Sequence, residues 1–193
     1  LESYRDQLAA FPQTVWVSEE ILRDLADTQT PQGIVAVIQK EEVGPPDFSQ
    51  GKFLFLEDVQ DPGNVGTMIR TADAAGLTGV IVSDKSADIY SLKTLRSMQG
   101  SHFHLPIYRM PVATFIEEAK KSNLPILATT LSRDSKDYRE LSPLENFALV
   151  MGNEGQGISP IMAESANQLV HIGMKGRAEC LNVAVAAGIL MFY

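Results

Sequence analysis

From residue 51 onward the chain alternates short, unbroken apolar runs with longer runs of helical periodicity, and this alternation constrains the fold more than any other feature. The strand-like runs are residues 53–57, 79–83, 105–108, 125–130, 147–151 and 169–172. The helix-like runs are residues 64–75, 91–98, 112–121, 160–166 and 182–193. Apolar strands without polar alternation are covered on both faces, as in a parallel sheet flanked by helices. The expected class is therefore α/β with a mostly parallel sheet. His102 and His104 alternate along a stretch that also reads as a strand.

The front of the chain reads differently. Ser18 is placed to cap a helix through Glu19, Ile21, Leu22 and Leu25, and residues 33–38 read as a strand. So small an α/β fragment is not expected to fold alone. Charge, Pro and Gly then concentrate up to Gly51, which is linker composition. The division expected is 1–40, a truncated small domain; 41–51, a linker; and 52–193, the main domain. The chain opens at Leu1 and ends on Phe192 and Tyr193 within an apolar run, so sequence is expected to continue at both ends.

Composition narrows the chemistry. Of 193 residues, 45% are hydrophobic, enough for a substantial core. Cys180 is the only cysteine, which rules out an intrachain disulfide and a cysteine-based metal site. The three histidines are spaced as core-edge or surface residues, so no metal is expected. Neither an apolar stretch of about 18 residues nor a signal peptide occurs, and the expected setting is cytoplasmic, without a membrane partner. The net charge of −8 opposes loose binding to nucleic acid. Any RNA affinity must come from a local group of cations (Arg70, Lys93, Arg96, Arg109, Lys175 and Arg177) or from another segment.

Three stretches carry chemical signals. In the first, a strand ends and a turn of Asp61, Pro62 and Gly63 leads into a helix near Asn64. Val65, Met68, Ile69, Ala72 and Ala75 form its buried stripe, with Arg70 beside it. Arg70 reads equally as a surface arginine on an ordinary βα unit. In the second, the strand 147–151 runs into Gly152, Gly155 and Gly157, and Ser159 and Pro160 then open a helix. Glycines at that edge of an α/β sheet let a ligand approach the backbone. The spacing fits neither a dinucleotide fingerprint nor a P-loop, and Glu154 reads equally as a solvated turn carboxylate. In the third, a strand leads through a polar loop, 173–181, to an Asn182-capped helix that is apolar nearly all round. Such a helix is buried in the core or against a partner subunit.

Taken in this order, the three stretches resemble the signatures of the SpoU/TrmH family of RNA 2′-O-ribose methyltransferases, in the SPOUT superfamily. The segments that carry the resemblance are 61–72, 151–157 and 181–188, within residues 51–193. Residues 25–37 also look like the end of the small RNA substrate-binding domain that precedes the catalytic domain in many members. The resemblance implies a C-terminal deep trefoil knot, which connection rules alone would not suggest, and a homodimer using S-adenosylmethionine. By position it implies that Gly152, Ile172 and Leu181 cradle the cofactor, with Thr129, Leu131 and Met174 nearby. Asn64, Arg70, Glu154 and Asn182 match the residues assigned to catalysis. Ribosomal RNA is the first expected substrate and transfer RNA the second. Base methylation and a non-catalytic RNA-binding relative stay open, whereas a nucleotide-dependent oxidoreductase lacks its glycine fingerprint. Two positions depart from the family pattern: Gly173 replaces a common proline and is expected to loosen the cofactor loop, and Cys180 replaces a serine and reads as a buried, inert thiol.

Overall fold

A computed structural model of the protein describes residues 4–26, 28, 30–40 and 43–193. The chain divides into two compact units, Leu1–Glu42 and Val43–Tyr193, so the boundary falls inside the expected linker. Asp27 and Gln29 of the 25–37 stretch, and Glu41 and Glu42 of the linker, lie outside the described residues.

Among its described residues the first unit holds two helices, α1 (Arg5–Ala9) and α2 (Glu19–Ala26). The N–H of Ile21 donates to Ser18 Oγ at 3.3 Å, the cap read from the sequence. No residue of α2 is buried. The strand expected at 33–38 does not form: no described segment pairs with it, and Val37 is 100% exposed. Apolar, β-branched composition is not enough for a strand, because its backbone groups need a neighbouring ladder.

In the second unit the elements follow as β1 (Lys52–Leu56), α3 (Pro62–Ala74), β2 (Gly79–Val82), α4 (Leu92–Met98), β3 (Ile107–Arg109), α5 (Val112–Lys121), β4 (Ile126–Thr129), β5 (Lys136–Asp137), β6 (Phe147–Met151), α6 (Pro160–Ser165), β7 (Gln168–His171) and α7 (Val183–Met191). The strands make one sheet in the order β3-β2-β1-β6-β4-β7-β5, parallel throughout. Alternation along each strand sorts the core into two layers. Leu54, Leu56, Val82, Leu149 and Met151 face α3, α4 and α7, meeting Met68, Ile69, Met98, Ala184 and Ala187. Phe53, Phe55, Ile126 and Val150 face α5 and α6, where Phe55 stacks on Phe115 with ring centroids 4.1 Å apart.

Two local departures have physical causes. His102 and His104 do not lie on a strand; Gly100 (φ 90°) starts a 3-10 turn over Ser101–Phe103, and β3 begins only at Ile107. The short β5 has no apolar run to announce it, and it exists only because β7 offers an edge, with Lys136 opposite Val170 and Asp137 opposite His171.

The position of β5 matters. β4 reaches the level of Val170 at Thr129, and β5 starts at the same level on the far side of β7. Residues 130–135 therefore span β7 near its carboxyl end, where Ser135 Oγ lies 2.9 Å from His171 Nδ1. The chain leaving β7 runs on to α7, which packs with α3 on one layer of the sheet.

The α3–α4 contact depends on one glycine. A methyl group at Gly66 would stand 2.6 Å from the Thr94 carbonyl oxygen and 2.5 Å from Ser97 Cβ. Gly66→Ala is expected to lower stability by about 1–3 kcal/mol through overpacking, outweighing the roughly 1 kcal/mol gain in helix propensity. Urea denaturation of both proteins measures it.

Candidate active site at the carboxyl edge of the sheet

Strands β1 and β6 are neighbours, and from them the sheet extends in opposite directions, β2-β3 one way and β4-β7-β5 the other. In open parallel sheets ligands bind outside the carboxyl ends of the strands at such a switch point. Here the loop after β1 and the glycine loop after β6 meet there.

The glycine loop is a closed hairpin. Asn153 and Gly157 exchange backbone hydrogen bonds at 3.0 and 2.9 Å, and Asn153 Oδ1 accepts from the N–H groups of Gly155 and Gln156, each at 2.9 Å. A side chain at Gly152 would overlap the backbone of Gly157 and Ile158. The glycine expected to admit a ligand thus admits the returning chain itself. Asn153 Nδ2 donates to the Asp58 carbonyl at 2.8 Å, tying the loop to β1.

This closure aims Glu154 across the switch point. Its Oε1 accepts from the Asp61 N–H and from Asn64 Nδ2, both at 3.1 Å, and its Oε2 accepts from the Gln60 N–H at 3.2 Å. Burial pushes the Glu154 carboxyl up, but hydrogen bonds from its own backbone N–H and from Asn64, Asp61 and Gln60 outweigh it and hold the carboxyl below the usual range. Asn64 Oδ1 accepts in turn from Asn182 Nδ2 at 3.1 Å. Asn182 Oδ1 caps α7 through the N–H groups of Ala184 and Val185, as Asp61 Oδ1 caps α3 through that of Asn64 at 2.8 Å. Glu154, Asn64 and Asn182 thus form one chain of hydrogen bonds joining the three stretches singled out in the sequence.

Arg70 stands apart from this chain. It lies nearly two turns beyond Asn64 on α3, exposed. Glu154 is engaged with Asn64 and the backbone rather than with Arg70. Of the other cations, Lys93 pairs with Asp61 at 2.9 Å. Arg109 is spent on the carbonyls of Ser83, Asp84 and Ala87, so it closes a turn instead of facing a ligand.

The remaining sequence-picked residues line the same edge. Thr129, Gly152 and Ile172 end or follow the adjacent strands β4, β6 and β7, so Gly152 and Ile172 flank β4 about 10 Å apart by strand spacing. Thr129 Oγ1 donates to the Val150 carbonyl at 2.9 Å. Leu131 is 67% exposed, and Ile172, Met174 and Leu181 are half-buried. Backbone rims between partly exposed apolar side chains suit a flat aromatic ring with a polar edge. Cys180 is exposed, not buried: the loop between β7 and α7 carries it outside the core. Gly173 is not loosely packed either, because Asp137 fills the space its side chain would take.

Sequence reasoning missed Glu57. It is 2% exposed at the end of β1, and its Oε2 accepts from the Ser159 N–H at 3.2 Å, fastening the far end of the glycine loop. Burial pushes its carboxyl up. Its only signal was an acidic residue closing an apolar run.

The chain belongs to the SpoU rRNA methylase family, whose sequence profile matches residues 51–192. It is 42% identical over 181 residues to the 23S rRNA (guanosine(2553)-2′-O)-methyltransferase of Bacillus subtilis, an alignment covering 94% of this chain and 72% of that one. Among solved structures, an AdoMet-bound rRNA methyltransferase from Sinorhizobium meliloti superposes with a TM-score of 0.89 at 34% identity, covering 98% of this chain and 76% of that one. The SpoU methyltransferase AviRb from Streptomyces viridochromogenes, in complex with AdoMet, gives 0.83 at 30% identity over 100% and 77%.

The two carboxylates predict opposite pH behaviour. Glu154, with a lowered folded value, contributes stability that is present above its unfolded value and lost as pH falls through the folded one. Glu154→Gln should cost about 1 kcal/mol near neutrality, kept small by solvent exposure, and little in acid. Glu57, with a raised folded value, contributes stability that is present in acid and lost as pH rises through that value. Glu57→Gln should therefore gain on the parent as pH rises. Denaturant midpoints across pH, read for both variants, check the signs.

Proposed function

We propose that the protein transfers a methyl group from S-adenosylmethionine to a ribose 2′-hydroxyl of ribosomal RNA. The hydrogen-bonded chain Glu154–Asn64–Asn182 beside the apolar carboxyl edge is the observation that carries this reading. Family membership and the AdoMet-bound neighbours support it.

The residues present fit the cofactor. Leu131, Ile172, Met174 and Leu181 would supply apolar contact to its adenine, and the backbone at Thr129, Gly152 and Ile172 the polar contacts. When bound, S-adenosylmethionine brings a methyl carbon made electrophilic by its sulfonium. The protein must then align the hydroxyl and favour loss of its proton. Arg70 is a poor proton acceptor, because a guanidinium stays charged to about pH 12. Its role is to hold a phosphate or to stabilise negative charge developing on the oxygen. Glu154, ionised and saturated with N–H donors, acts by fixing Asn64 rather than by taking a proton. Asn182 anchors the amino end of α7 to that position.

Residues 1–40 are read as the end of an RNA-binding domain, 41–51 as linker and 52–193 as the methyltransferase domain. The segment leaving β7 is read as threaded through the 130–146 connection to form a trefoil knot, a reading supported by the arch over β7. A homodimer is supported by the exposed apolar side chains on α7 and just beyond it, Val185 at 52% and Phe192 at 66%. Among the described residues no helix is long and apolar enough to cross a membrane; the proposed setting is cytoplasmic.

Arg70→Ala should keep S-adenosylmethionine binding by calorimetry and lose most methyl transfer, about 100-fold or more for a removed charge stabiliser. Near-normal turnover removes Arg70 from the mechanism. Nuclease mapping of a labelled methyl group places the product on ribose; label on a base overturns the ribose assignment. Sedimentation should give twice the monomer mass, falling to the monomer with Val185→Glu.

A further inference from the structure

The arch over β7 touches the loop that follows β7 at one carboxylate, and the methyl-transfer reading makes no use of it. Asp137 ends β5 and Arg139 stands in the 3-10 turn after it. Asp137 Oδ1 accepts from the Arg139 backbone N–H at 3.0 Å and from its Nε at 2.8 Å, and Oδ2 accepts from Nη2 at 2.6 Å. The carboxylate is therefore held by a two-pronged fork and a backbone donor, and its side chain is only 14% exposed. The Arg139 guanidinium keeps it well below the usual carboxylate range, with His171 adding to the effect.

Gly173 lies against the other side of this group. A methyl group there would overlap Asp137 Oδ2 and stand 3.2 Å from Arg139 Nη2. The backbone of Gly173 has no positive φ, so nothing in its conformation calls for glycine. The requirement is one of space, imposed chiefly by the Asp137 carboxylate with the end of the Arg139 side chain beside it. The Asp137 side chain is short and doubly fixed, so it has no slack with which to move aside.

We propose that Asp137, fixed by Arg139, is a positioning residue for the cofactor loop: it is the wall against which residues 172–174 are laid, and Gly173 is the position that lets them lie there. The proposal rests on the reading of Ile172 and Met174 as cofactor contacts. Asp137 acts through the backbone between those two residues, and Ser135, bonded to His171, steadies the same arch two residues earlier.

The test is a mutant cycle read by calorimetry with S-adenosylmethionine, on the parent, Gly173→Ala, Asp137→Ala and the double variant. Gly173→Ala should weaken binding about tenfold, and Asp137→Ala less, about threefold, the scale of coupling between residues in contact. The double variant should return to the level of Asp137→Ala, because the obstructing carboxylate is gone. In turnover, KM for S-adenosylmethionine should rise in both single variants while kcat at saturation holds. A merely structural role would instead lower thermal stability and spare that split. If Gly173→Ala does not fold, Arg139→Lys, which keeps the charge and loses the fork, should still raise KM for the cofactor. Parent-like binding by Gly173→Ala, fully additive losses in the double variant, or an unchanged KM in Arg139→Lys and Asp137→Ala each overturn the proposal. If the parent binds no S-adenosylmethionine, the cofactor reading falls first and takes this proposal with it.

Discussion

The parallel pairing of β6 against β1 is the constraint on which the site depends. Met151 lies opposite Leu56 at the end of that ladder, and the Glu57 N–H continues it by donating to the Met151 carbonyl at 2.8 Å. Two loops separated by about ninety residues in the chain thereby leave the sheet side by side. Glu154 then satisfies the backbone donors of Gln60 and Asp61 and the amide of Asn64 together. Without that register the carboxylate would face water and the loop after β1 would lose its acceptors.

Helix ends are what the site is assembled from. Asp61 caps α3 and Asn182 caps α7, and both also belong to the network around Glu154, while Ser159 caps α6 and is held by Glu57. The same carboxamide of Asn182 that ends one helix's unpaired donors reaches Asn64 on another. The hydrogen-bonded network and helix termination therefore share side chains, so disturbing one disturbs the other. Glu57 supports this arrangement from below by holding Ser159, at the cost of burying a carboxylate.

The second half of the sheet solves a different problem. Inserting β6 between β1 and β4, and β7 between β4 and β5, brings three carboxyl ends together at Thr129, Gly152 and Ile172. It also requires a connection that bridges a strand already in the sheet. The arch that does so is itself anchored to β7 by Ser135 and fills the space beside Gly173 with Asp137. Apolar edge and arch are thus two results of one strand order.

Much of this was readable along the chain. Periodicity located six of the seven strands and the five helices of the main unit within a few residues, and the caps Ser18, Ser159 and Asn182 stood where short polar side chains precede apolar stripes. The residues of the three motifs were legible because strand, turn and cap chemistry is local. What local chemistry does not contain was decided by the tertiary structure. The stretch at 33–38 has a strand's composition but no partner among the described residues; Lys136 and Asp137 have no such composition but pair with the edge that β7 offers. Cys180 is exposed although its residue type favours burial, and Gly173 is filled by a side chain thirty-six positions earlier. Hydrogen-bond partners and excluded volume across the sheet depend on which strands are neighbours, and strand order is not a property of any window of sequence.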